Sequence, residues 1–132
     1  MGGEHISEEF AEEIVSAART AAGDELRSVT YFDIDDYEQL YLRSDLEQTA
    51  DLDAFVANER LGFRSQLTYE GTELGEYLFT VRAFGYGFLT RAIVGEHGVF
   101  VTTDGMDMEM FEEVTAAIRG VLREHLEYTE DG

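Results

Sequence analysis

The chain has no cysteine, no lysine and no proline. Without cysteine there is no disulfide framework, no thiolate metal site and no cysteine nucleophile. Without proline, breaks between elements fall to glycine and to Asp, Asn and Ser. Without lysine, all basic charge rests on nine arginines against 29 acidic residues, a net charge of -20 over 132 residues. That balance, with no basic patch, disfavours nucleic acid as a partner. No apolar run approaches the roughly 18 residues of a membrane span. The opening Met-Gly-Gly-Glu-His-Ile has neither region of a signal peptide. The expectation is a cytoplasmic protein with no membrane partner.

What is present reads as one ordinary domain with a normal hydrophobic share of 44%. Its acid is spread along the chain rather than clustered. At molar salt the Debye length falls to about 3 Å, so carboxylates hardly repel beyond contact range. A carboxylate surface then holds water at little cost, whereas lysine would add long apolar stems to it. The composition points to a halophilic protein in a cytoplasm of the haloarchaeal kind. The competing reading is a DNA mimic or a binder of basic partners, which would cluster its acid.

The periodicity predicts a helix over 7–22, capped by Ser7, with Phe10, Ile14, Val15 and Ala18 on its apolar face and Gly23 as its stop. Strands are expected over 26–33 and 37–43, joined as a hairpin through Asp33-Ile34-Asp35-Asp36. A second helix is expected from Ser44, boxed by Glu47, to about Gly62, with a fresh cap at Thr49-Ala50-Asp51 as a point of interruption. Strands follow over 63–70, 76–84, 88–94 and 99–102, with 88–94 central. A last helix starts near Asp104 or Asp107 and runs to about 126. The expected order is α-β-β-α-β-β-β-β-α: an α+β fold on a mostly antiparallel sheet of five or six strands. Residues 1–6 and 127–132 are expected as flexible tails around a single domain at 7–126.

This order resembles the roadblock and profilin-like folds, in which a five-stranded antiparallel sheet has its first and last helices on one side and its middle helix on the other. The short strand at 99–102 departs from the simplest such pattern. The resemblance implies a homodimer acting as a scaffold or regulator of small GTPases, without catalysis of its own. A second resemblance rests on residues: Leu26–Phe32, Asp36–Leu46, Asn58–Ser65 and Gly98–Gly105 are similar to a small haloarchaeal family of unknown function over about 8–122. That family implies no activity.

The candidate sites each have a plainer reading. Asp33, Asp35 and Asp36 could hold a hard cation, but they lack calcium-loop spacing and suit a turn. Tyr37, Gln39 and Tyr41 fall on one face of a strand, where they could stack a flat ligand or pack in a core or dimer interface. Arg64, Arg82 and Arg91 are expected on successive strands, where they could grip an anionic ligand; the plainer reading pairs them with Glu38, Glu70, Glu73 and Glu76. His5, His97 and His125 are scattered, and neither Gly85-Tyr86-Gly87 nor Thr103-Asp104-Gly105 has the spacing of a phosphate loop. Met106, Met108 and Met110 alternate, so they cannot all face inward on a helix. No catalytic set, metal site or cofactor fingerprint emerges. The reading is a homodimeric binding module with room for a protein partner. The alternatives are a sensor using Arg64, Arg82, Arg91, Tyr37 and Tyr41, or an enzyme of unrecognised type.

Overall fold

The computed structural model describes residues 6–46 and 51–131. Helix α1 (Glu8–Ala22) starts where expected: the Ser7 hydroxyl accepts from the Phe10 amide, and Glu8 and Glu9 face the positive end of the helix. Gly23 ends it at φ 60°, a left-handed conformation that glycine takes without a Cβ clash. Ile6, expected in a tail, is buried in the core beside Phe10, Ile14 and Ala18. The rest of that expected tail, 1–5, lies outside the described residues.

Strands β1 (Leu26–Phe32) and β2 (Tyr37–Leu42) form the antiparallel hairpin. Asp33 closes its turn: Oδ1 accepts from the Asp35 and Asp36 amides at 2.9 and 2.8 Å. Helix α2 (Leu52–Ser65) starts later than Ser44, which lies in a turn, and its expected box partner Glu47 lies outside the described residues. The cap is Asp51, whose side chain accepts from the Ala54 amide. Gly62 does not stop the helix, and the strand expected over 63–70 is absent. Phe63 to Ser65 finish α2, and Gln66–Tyr69 make a 3₁₀ turn. The physical reason is that Phe63 continues the row Leu52, Val56, Glu59 at helical spacing and packs on Phe32, with ring centroids 5.4 Å apart. That burial outweighs the alternating pattern.

Strand β3 (Thr80–Phe84) is only the end of the expected 76–84, whereas β5 (His97–Thr103) is longer than expected. With β4 (Gly87–Val94) they complete a five-stranded antiparallel sheet in the order β2-β1-β5-β4-β3. So β5, not 88–94, is the central strand, and β2 and β3 are the edges. Helix α3 (Met108–Asp131) starts at Asp107, whose carboxylate accepts from the Met110 amide, and runs past the expected end near 126. Gly132 lies outside the described residues. Helices α1 and α3 pack on one face, over Val29, Tyr31, Ala92, Val99 and Val101. Helix α2 covers the other face, over Phe32, Leu89, Ile93 and Phe100. Alternating strand residues therefore feed two cores.

Candidate functional site

Between α2 and the sheet lies a buried charge cluster. Glu59, 2% exposed, projects from α2 toward β4. Arg91 of β4, 5% exposed, donates from Nη1 to Glu59 Oε1 at 3.0 Å. Arg82 of β3 donates from Nε to Glu59 Oε2 at 2.8 Å. Arg91 Nη2 also reaches Thr80 Oγ1 at 2.8 Å and the Tyr77 hydroxyl at 3.3 Å. The Glu59 hydrogen bond holds the Arg82 guanidinium above its ordinary pKa. Gly62 makes room for this cluster, since a Cβ there would stand 2.4 Å from Arg91 Nη1. A buried carboxylate is tolerated because both its oxygens are paired with guanidinium.

Two of the five sequence candidates, Arg82 and Arg91, are thus brought together, but around an internal carboxylate. Their partner is Glu59, not one of the four glutamates expected. Arg64 lies exposed in the last turn of α2, not on a strand. Tyr37 and Tyr41 do not share a face. The β1–β2 register pairs Thr30 with Gln39 and Val29 with Tyr41, so Leu40 is an extra residue, a bulge. Tyr37 packs toward the α2 core and Tyr41 toward the α1/α3 core. The Tyr37 hydroxyl donates to Asp53, which raises its pKa above the usual phenol value. Arg19 sits over the Tyr41 ring at 5.4 Å. A groove of about 1120 Å³ beside residues 66–77 is lined by Phe63, Leu67, Tyr69, Tyr77 and Ile93, among others, and by none of the five.

The other charged groups also serve the fold. Arg27 and Arg43 each take one oxygen of Asp104, both at 2.7 Å, and Arg43 reaches Asp45 at 2.6 Å. Arg43 first, then Arg27, holds the Asp104 carboxyl below its usual range. Arg60 of α2 donates to the Asp33 and Asp36 carbonyls at 2.6 and 3.0 Å, clamping the hairpin turn. His97 Nδ1 bonds the Tyr31 hydroxyl at 2.7 Å, and burial first, then Asp33, raises that phenol's pKa. His125 stacks on Phe10 at 3.9 Å, and burial lowers its pKa. His5 lies outside the described residues. Of the three methionines, Met106 packs against the α1/α3 core and Met108 is exposed.

One surface feature escaped sequence reasoning. The exposed residues of α2 include one acid, Asp53, held by the Tyr37 hydroxyl; the others, Ala54, Phe55, Ala57, Asn58, Leu61, Arg64 and Ser65, include none. The outer faces of α1 and α3 carry Glu8, Glu9, Glu12 and Glu13, and Glu109, Glu112, Glu113 and Glu124. Edge strand β3 lacks acid, although Ala83 and Phe84 are exposed. The signal was available: residues 77–95 contain neither Asp nor Glu in a chain with 29 of them.

A five-stranded antiparallel sheet between α1/α3 and α2 is a roadblock-like architecture. Two solved structures bear this out. Myxococcus xanthus MglB aligns at a TM-score of 0.64 with 16% identity, covering 93% of this chain and 93% of that one. The gliding protein MglB from Thermus thermophilus aligns at 0.56 with 15% identity, covering 88% of this chain and 90% of that one. At such identities the likeness is one of fold. The chain belongs to the family described as a domain of unknown function, DUF7522, which matches residues 12–123. No curated protein matches the sequence.

Proposed function

We propose that this protein is a non-catalytic, roadblock-like scaffold of a molar-salt cytoplasm, pairing with a second copy of itself and presenting the pair to a protein partner. The observation that carries the reading is the outer face of α2, whose one exposed acid is Asp53, together with the acid-free free edge of β3. A surface kept in water by carboxylates should not omit them where it faces water. An edge strand without acid, its one charged residue Arg82 turned to Glu59, is an open template for another strand. Two copies meeting edge to edge about a two-fold axis would satisfy both features at once. The likeness to roadblock folds supports the same arrangement and suggests a small GTPase as the kind of partner.

Light scattering on a sizing column in molar KCl tests the pairing. The expected mass is twice the 14.9 kDa of one chain. Ala57→Glu and Leu61→Glu, each placing a carboxylate on the α2 face, should give monomers with unchanged circular dichroism. A monomeric wild type at high concentration, or a dimer indifferent to both substitutions, ends the proposal. The sensor reading has weaker support, because its five residues do not line one cavity.

A further inference from the structure

Arg119 and Arg123 lie one turn apart on α3 and converge on the same carboxylate oxygen. Arg119 Nη2 stands 3.2 Å from Glu76 Oε2, and Arg123 Nη2 stands 2.6 Å from it. The Arg119 side chain is only 12% exposed, and its Nε is buried with no hydrogen-bond partner. Glu76 is 66% exposed and belongs to the irregular stretch before β3, next to Gly75 at φ 87°.

The contrast with Asp104 is informative. There two arginines take one oxygen each, so donors and acceptors balance. At Glu76 two guanidiniums crowd one oxygen while a neighbouring buried donor is left over. A single carboxylate oxygen cannot serve three such donors. A tetrahedral oxyanion can, because its oxygens diverge and arginine forks match it bidentately. The overall negative charge does not forbid this in molar salt, where a Debye length of about 3 Å leaves contact pairs to decide.

We propose that Arg119 and Arg123 form a seat for a phosphoryl group, which Glu76 fills as an internal occupant when no ligand is bound. Binding displaces the Glu76 side chain, and the Arg119 Nε gains the acceptor it lacks. This seat is independent of the self-pairing surface and stands or falls separately from it.

The test is a titration of the full chain with potassium phosphate in molar KCl, followed by nitrogen NMR of the arginine Nε and backbone amide signals. Expected are saturable shifts at Arg119, Arg123 and Glu76. Glu76→Gln should tighten binding about fivefold, the scale of one exposed ion pair. Arg123→Gln, at a half-exposed position that should not disturb folding, should abolish saturation. Glycerol phosphate and a phosphoserine peptide are further probes: tighter binding of the first marks a small phosphate ester as the source, and of the second a modified segment. Linear shifts that are the same in Arg123→Gln, or binding in Glu76→Gln no tighter than in wild type, overturn the proposal.

Discussion

Replacing Glu59 with alanine should be among the most damaging single changes in this chain. It removes the carboxylate but leaves Arg91, 5% exposed, charged and closed in beneath α2. Breaking a buried pair in this way costs about 3–5 kcal/mol. For a chain of this size the whole stability is about 7–20 kcal/mol. At about 4 °C per kcal/mol, the melting midpoint should fall by about 12–20 °C. Arg91→Met should cost less, since Arg82 still neutralises Glu59. Changing both, Glu59→Leu with Arg91→Met, should recover most of the loss, because an apolar pair escapes the desolvation of two ions. Gly62→Ala supplies an independent check. Its Cβ would stand 2.4 Å from Arg91 Nη1 and 2.5 Å from Cζ, so the guanidinium must move. The cost should be about 1–3 kcal/mol in the wild type and should largely vanish in Arg91→Met. Thermal melts by circular dichroism in molar KCl measure all of these. A Glu59→Ala loss under about 1 kcal/mol, or a Gly62→Ala cost unchanged by Arg91→Met, would refute the reasoning.

Gly98→Ala should destabilise by about 1–3 kcal/mol, since its Cβ would press on the core ring of Phe32; a neutral melt would contradict the packing. The Asp104 pKa is lowered in the fold, so its stabilisation is present above the unfolded value near 4 and is lost as pH falls through the lower folded value. Asp104→Asn should therefore flatten the loss of stability below about pH 4, and an unchanged acid limb in chemical denaturation would count against the Arg27–Arg43 clamp. Moving from molar to millimolar KCl should lower the melting midpoint as the carboxylates begin to repel, and constant stability across that range would sink the salt-adaptation reading.

Most of the fold was legible because local rules agreed with burial. Ser7 and Gly23 marked helix ends by capping chemistry, and the structure uses each in that role; of the two caps offered for the last helix, Asp104 and Asp107, it uses Asp107. Legibility failed where a tertiary contact overruled a local pattern. Phe63, Leu67 and Tyr69 alternate like a strand, yet Phe63 is held by Phe32 across the core, and that contact lies beyond any local window. The Leu40 bulge was invisible for a similar reason. A bulge is a property of two strands in register, and period-two counting along one strand assumes it away. The same assumption put Tyr37 and Tyr41 on one face.

The arginine partners show a further limit. The sequence suggested that strand arginines pair with glutamates, but the chosen partner, Glu59, stands on a helix in an apolar row after Val56. A buried charge at an apolar position is itself a signal, because the row is otherwise complete and the charge must meet an opposite one inside. Acid in this chain is so abundant that its presence says little, and its absence says more. Where Glu and Asp are the default for any position facing water, the stretch 77–95 and the outer face of α2 beyond Asp53 are defined by what was left out. Part of that stretch is explained by burial in β4. The exposed end of β3, Ala83 and Phe84, and the α2 face beyond Asp53 are not so explained, and contact with another protein surface is the physical condition under which omitting a carboxylate carries no cost in solubility.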